Sequence, residues 1–229
     1  MYTLAIFDMA GTTINDRDEV YRVLREATER EGATYSDAQF QEWMGTEKKW
    51  AIHNLLDIGG VNVTEELVEK AWVWFREELR RTYAEQPPVA IEGVEQALAD
   101  LRGQGIKVGL TTGFSREIAD IILGSMGWGV GINLDASVTA DQVAAGRPAP
   151  DMIFKVMELT GVEDASQVIS AGDTAADIRS AQTAGVTSVG VLTGHLTPAQ
   201  FAELGADHTL RSVADIADVV GITADSVRH

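Results

Sequence analysis

The sequence predicts an α/β fold, a doubly wound parallel sheet of Rossmann-like type with an all-helical cap domain inserted into it. Short apolar runs alternate with helical patterns along most of the chain, two of those runs end on an aspartate, and between Asp16 and Pro88 the strand signal disappears. Strand and helix in alternation build a parallel sheet covered on both faces.

The first strand is expected over residues 4–7, an unbroken apolar run stopped by Asp8 and a Gly-Thr-Thr turn, as for a strand buried on both sides. Further strands are expected over residues 106–110, 136–139, 168–171 and 188–192. The helices connecting them fall over residues 115–126, 151–159 and 175–184. Between the first two strands only helical periodicity appears, over residues 20–31, 36–44, 48–56 and 64–84. Ser36 with Gln39 forms a candidate capping box. Pro87-Pro88 cannot continue the last of these helices. The expected division is a core of residues 1–15 and 89–229 around a cap of residues 16–88, hinged over the carboxyl edge of the sheet, where such folds hold ligands.

Composition narrows the function. A chain of 229 residues with a formal charge of −17 and no basic block is unsuited to nucleic acid, whose binding rests on Lys and Arg neutralising phosphates. An anionic small molecule would need a locally positive site within this acidic field. With no cysteine, disulfides and thiolate catalysis are excluded. No apolar run reaches the ~18 residues of a membrane span, and no basic leader precedes the first strand, so a cytoplasmic location is expected. The apolar helix segment around Trp72, Val73 and Trp74 suits either cap core or a homodimer surface.

Four segments carry candidate chemistry. Asp8-Met9-Ala10-Gly11-Thr12-Thr13 delivers an acid to a strand tip, although such a sequence also closes strands as a simple Asx turn. Gly172-Asp173-Thr174-Ala175-Ala176-Asp177 delivers two more acids, one of which can equally serve as a helix cap. Strand-end carboxylates converging on one sheet edge suit Mg²⁺, a cation that takes hard oxygen ligands. Thr112 with Gly113, and Arg147 in Gly146-Arg147-Pro148-Ala149-Pro150, add a hydroxyl, loop amides and a guanidinium, groups able to hold phosphoryl oxygens.

In this order the segments resemble the haloacid dehalogenase superfamily over nearly the whole chain. The resemblance implies that Asp8 is a nucleophile forming an aspartyl-phosphate. It also implies Mg²⁺ held by Asp8, Asp173 and the Ala10 carbonyl with Asp177 in support, and phosphate contacts from Gly11, Thr12, Thr112, Gly113 and Arg147. Most phosphatases of the superfamily carry an acid where this chain has Ala10. Alanine cannot protonate a leaving alkoxide, whereas cleavage of a carbon–phosphorus bond needs an electron sink, which an amine supplies as an iminium.

Asp-x-Ala-Gly-Thr, Met44-Gly45-x-x-Lys48, Thr111-Thr112-Gly113 and Gly-Arg-Pro-x-Pro together resemble the phosphonatase branch. That likeness implies a Schiff base on Lys48, a contact from Met44, and a phosphonate aldehyde as substrate. A surface lysine is the bland alternative for Lys48, and Lys49 its local competitor. The branch has a cap histidine where this chain has Ala51, with His53 the nearest imidazole, and a tyrosine where it has Phe114. Hydrolysis of a small phosphate monoester is the first alternative, and a binding protein without turnover the second.

Overall fold

A computed structural model describes residues 1–221; the end of the expected core, residues 222–229, lies outside the described residues. Six strands form a parallel sheet: β1 (Leu4–Asp8), β4 (Lys107–Thr112), β5 (Ala136–Thr139), β6 (Val168–Gly172), β7 (Thr187–Val191) and β8 (His208–Leu210). Their order is β5-β4-β1-β6-β7-β8. The chain winds outward from β1 through β4 to β5, then returns to β6 on the other side of β1. The carboxyl end of β1 thus lies at the point where the winding reverses, the ligand position of open α/β sheets.

The continuous apolar character of β1 follows from its place in the middle. Ala5 and Phe7 enter one core with Val94, Leu98 and Leu101, while Leu4 and Ile6 enter the opposite core with Met152, Ile153 and Val156. Successive side chains point to opposite faces, so a strand covered on both must be apolar throughout. The covering helices are α5 (Val94–Gly103), α6 (Arg116–Met126), α7 (Asp151–Thr160), α8 (Ala175–Ala184) and α9 (Pro198–Leu204), with a short α10 (Ala217–Val220) near the end of the described chain.

Between β1 and α5 the chain forms α1 (Glu19–Glu29), α2 (Asp37–Gln41), α3 (Lys48–Ile58) and α4 (Glu65–Glu85). Helices α1, α3 and α4 pack on one another through Val20, Leu24, Ile52, Leu55, Phe75 and Leu79. Two short strands, β2 (Ile14–Asn15) and β3 (Val89–Ala90), pair antiparallel, so the chain leaves for the helical unit and returns from it at one place. Asp16 accepts from the Tyr83 hydroxyl at 2.7 Å across the same junction.

The Ser36–Gln39 capping box is present, but α2 stops at Gln41 rather than reaching residue 44. Trp43 and Met44 donate to the carbonyls of Phe40 and Gln41 in successive tight turns, and Gly45 follows with φ +74°. That left-handed step is open to glycine and strained for other residues, and it turns the chain toward the sheet. No helix among the described residues is long and apolar enough to cross a membrane.

Candidate active site

Because β1 and β6 are hydrogen-bonded neighbours, Asp8 and Asp173 arrive side by side at the sheet edge. Asp177 joins them from the first turn of α8. A β-carbon on Gly172 would stand 2.1 Å from the Asp177 carboxyl carbon, so the missing side chain is what lets Asp177 fold back. Its Oδ2 accepts from the Thr174 hydroxyl at 2.5 Å and the Thr174 amide at 3.0 Å, closing a capping box. Its Oδ1 is left facing Arg147 at 2.6 Å.

Arg147 Nη1 also stands 2.6 Å from Asp8 Oδ1, and Nη2 donates to the Thr111 hydroxyl at 3.1 Å. Oxygens of Asp8, Asp173 and Asp177 lie within 4.8 Å of one another, all three buried. One guanidinium cannot balance three carboxylates. Burial pushes the Asp8 carboxyl up to about 6, with Arg147 pulling it down and Asp177 pushing it further up. Asp173 is raised well above the usual range by burial and then by the charges of Asp8 and Asp177. Arg147 lies above its ordinary value: burial opposes its charge, and the carboxylates of Asp177 and Asp8 outweigh that cost. Clustered hard oxygen donors with uncompensated negative charge could hold a divalent cation.

The Gly11–Thr13 loop supports this cluster. Thr12 donates to Asp173 at 2.8 Å and Thr13 to the Asp8 carbonyl at 2.9 Å. Gly11 has φ +83°, and a β-carbon there would stand 2.6 Å from Asp173 Oδ2. Expected as phosphate contacts, Gly11 and Thr12 border Asp173, and the Thr12 hydroxyl proton is already committed to its carboxylate.

Lys48 opens α3, and Glu47 caps that helix by accepting from the amides of Lys49 and Trp50. The Lys48 ammonium is buried, 4 % exposed, and donates to the Thr46 carbonyl at 2.6 Å. Burial lowers it from 10.5 to about 8, while Asp8 pulls it up and Arg147 pushes it down. Lys49 points the other way, exposed and paired with Glu69 at 2.5 Å. His53 is exposed as well and lines a surface groove with Lys49, so it does not stand in for a histidine at this site.

Between the helical unit and the sheet lies a narrow cavity of about 10 Å³, about the room one water needs. Its sheet side is formed by Asp8, Ala10, Thr112, Gly113, Phe114 and Arg147, and the helical side by Val20, Tyr21, Gly45 and Lys48. Thr112 accepts from the Phe114 amide at 3.2 Å, leaving its own hydroxyl proton uncommitted. Met44 is half-buried in a neighbouring cleft with Asp173 and Thr174, outside the walls around Asp8 and Lys48. Tyr21, Val20 and Gly45 were not among the expected contacts. Gly45 follows Met44 in the Met44-Gly45-x-x-Lys48 motif, whereas Tyr21 and Val20 read as ordinary residues of an amphipathic helix.

A buried acid cluster at the carboxyl edge of a doubly wound sheet, with a buried amine facing it from inserted helices, defines a hydrolase site of a recognisable class. The family model of haloacid dehalogenase-like hydrolases matches residues 5–191, and the chain belongs to that family. Among its curated relatives is a phosphonoacetaldehyde hydrolase of Bacillus cereus (strain AH187), 33 % identical over 213 residues, covering 82 % of this chain and 75 % of that one. Another, from Bacillus anthracis, is 31 % identical over 252 residues and covers 94 % of both chains. A solved structure of a phosphonoacetaldehyde hydrolase-like protein from Oleispira antarctica superposes with a TM-score of 0.82 at 26 % identity, covering 96 % of this chain and 91 % of that one.

Proposed function

We propose that the protein is a Mg²⁺-dependent hydrolase that cleaves the carbon–phosphorus bond of phosphonoacetaldehyde or a close 2-oxoethylphosphonate analogue. The observation supporting this most directly is that the Lys48 amine and the Asp8 carboxylate border one small cavity in which Ala10 offers no acid. In this reading residues 16–88 act as a cap over a core of residues 1–15 and 89–229.

The neutral Lys48 amine adds to the substrate aldehyde, loses water to form an imine, and takes up one proton from solvent to become an iminium. An Asp8 oxygen attacks phosphorus in line. The carbon–phosphorus electron pair moves toward the iminium nitrogen, leaving an enamine on Lys48 and an aspartyl-phosphate on Asp8. Water then releases inorganic phosphate from Asp8, and protonation and hydrolysis of the enamine release the aldehyde and regenerate the amine. Arg147, the Thr112 hydroxyl and the loop amide of Gly113 stabilise charge on the transferred oxygens, the contribution that dominates phosphoryl transfer. Asp8, Asp173, Asp177 and the Ala10 carbonyl would hold Mg²⁺, which supplies positive charge to the phosphoryl group. A desolvated lysine with a second cation nearby loses its proton more readily, and Lys48 has both features.

Phosphate release from phosphonoacetaldehyde, measured beside a panel of small phosphate esters, tests this reading. Turnover of the phosphonate supports it. Turnover of esters alone would replace it with a phosphatase.

A further inference from the structure

Every charged side chain lining the cavity has a protein partner. Arg147 is bound to Asp8, Asp177 and Thr111, and Lys48 to the Thr46 carbonyl. Tyr21 differs. It comes from α1, only 9 % exposed, and its hydroxyl has no hydrogen-bond partner among the described residues. Its ring is fixed edge-on against Phe40 at 6.4 Å and His195 at 6.1 Å. A hydroxyl with no protein partner keeps its proton free for an acceptor that a ligand supplies.

The cavity walls divide by chemistry. Groups suited to phosphoryl oxygens, namely Thr112, Gly113 and Arg147, come from the sheet side. Lys48 and Tyr21 come from the helical side. A molecule with phosphorus at Asp8 therefore directs its carbon portion toward Tyr21. The phenol is neutral there: burial, then the charges of Asp173 and Asp8, hold its proton on well above the ordinary value. A neutral phenol keeps its proton available to an acceptor oxygen.

We propose that Tyr21 is a substrate-contacting, specificity-determining residue whose hydroxyl donates to an oxygen on the carbon side of the bound phosphonate. The proposal rests on the phosphonate reading for its ligand class, and its test is separate from turnover. Phosphonoacetate carries a carboxylate where the aldehyde would stand, and inorganic phosphate carries only the phosphoryl part. Titration calorimetry of the wild-type protein and Tyr21→Phe with each, in Mg²⁺, isolates one hydroxyl, since phenylalanine keeps the ring packing.

The expected result is phosphonoacetate binding about tenfold weaker in Tyr21→Phe, with phosphate binding unchanged within about twofold. Equal phosphonoacetate affinity in both proteins would overturn the proposal. Equal losses for both ligands would overturn it too, since the change would then be one of the whole pocket. So would a wild-type protein that binds phosphonoacetate no better than phosphate. Phosphate release from phosphonoacetaldehyde by the wild-type protein, assayed alongside, reports on the phosphonate reading independently. If that reading fails while the calorimetric difference holds, Tyr21 retains its role toward another ligand with an oxygen on its carbon portion.

Discussion

Gly113 keeps open the space that Lys48 occupies: a β-carbon at position 113 would stand 3.0 Å from Lys48 Nζ and 2.5 Å from the Thr46 carbonyl oxygen. The sheet-edge loop and the helical unit meet closely here, and the amine threads between them.

Gly113→Ala is therefore expected to displace the Thr46–Lys48 segment while the sheet survives. Overpacking of this kind costs about 1–3 kcal/mol of stability, and a misplacement of about 1 Å at a reacting group can cost about 100-fold in rate. Melting and kcat/KM measured on the same variant check this. A variant with normal kcat/KM would show that the close approach does not position Lys48.

The Asp cluster predicts a separation of stability from activity. Asp8→Asn removes one of three buried carboxylates yet leaves Arg147 paired with Asp177, so turnover disappears while Tm without Mg²⁺ does not fall. Mg²⁺ raises the Tm of the wild-type protein by mass action and raises that of Asp8→Asn less. A chelator abolishes activity, and added Mg²⁺ restores it. A large drop in the apo Tm of Asp8→Asn would mean the Arg147–Asp8 pair is needed to hold the fold.

Arg147→Ala removes the guanidinium from a buried set of carboxylates. The expected loss in kcat/KM is about 10²- to 10³-fold, the range for deleting one electrostatic donor to developing charge. A change below about threefold would assign Arg147 to structure alone.

The amine at position 48 predicts a pH dependence in both stability and trapping. Its folded value of about 8 lies below the ordinary 10.5, so between these values the unfolded chain binds the additional proton and stability rises with pH. Below about 8 the buried ammonium is a fixed cost. Lys48→Met is accordingly expected to raise Tm at pH 7 and to lose that advantage as the pH climbs through the window from 8 to 10.5. The wild-type trapping rate rises with pH and levels above about 8. A Tm difference independent of pH would contradict a lowered Lys48.

Much of the sheet was legible because central strands buried on both faces leave unbroken apolar runs, as at β1 and β6. Strand β8 was not: it lies at the edge, and His208 and Thr209 are exposed, so no such run marks it. Helix α5 carries Val94, Ala97, Leu98 and Leu101 at helical spacing, yet the expectation there went no further than placing the segment in the core of residues 89–229. The acids were readable because strand-end position and order are properties of sequence. Which of two adjacent lysines points inward was not, since that depends on where α3 begins, and Glu47 sets this by capping the amides of residues 49 and 50. Tyr21 had no signal at all: its spacing is that of a core residue, and only the folded arrangement brings it to the cavity wall.

The central claim is that the Lys48 amine forms an iminium with the substrate, and borohydride trapping tests it most directly. Borohydride added during turnover of phosphonoacetaldehyde is expected to inactivate the protein irreversibly, with the added mass located on Lys48 by peptide mapping. Lys48→Arg, still positively charged, is expected to escape labelling and to be inactive toward the aldehyde while retaining Mg²⁺ and phosphate binding. Phosphonate cleavage that persists with no label on Lys48 would contradict the account.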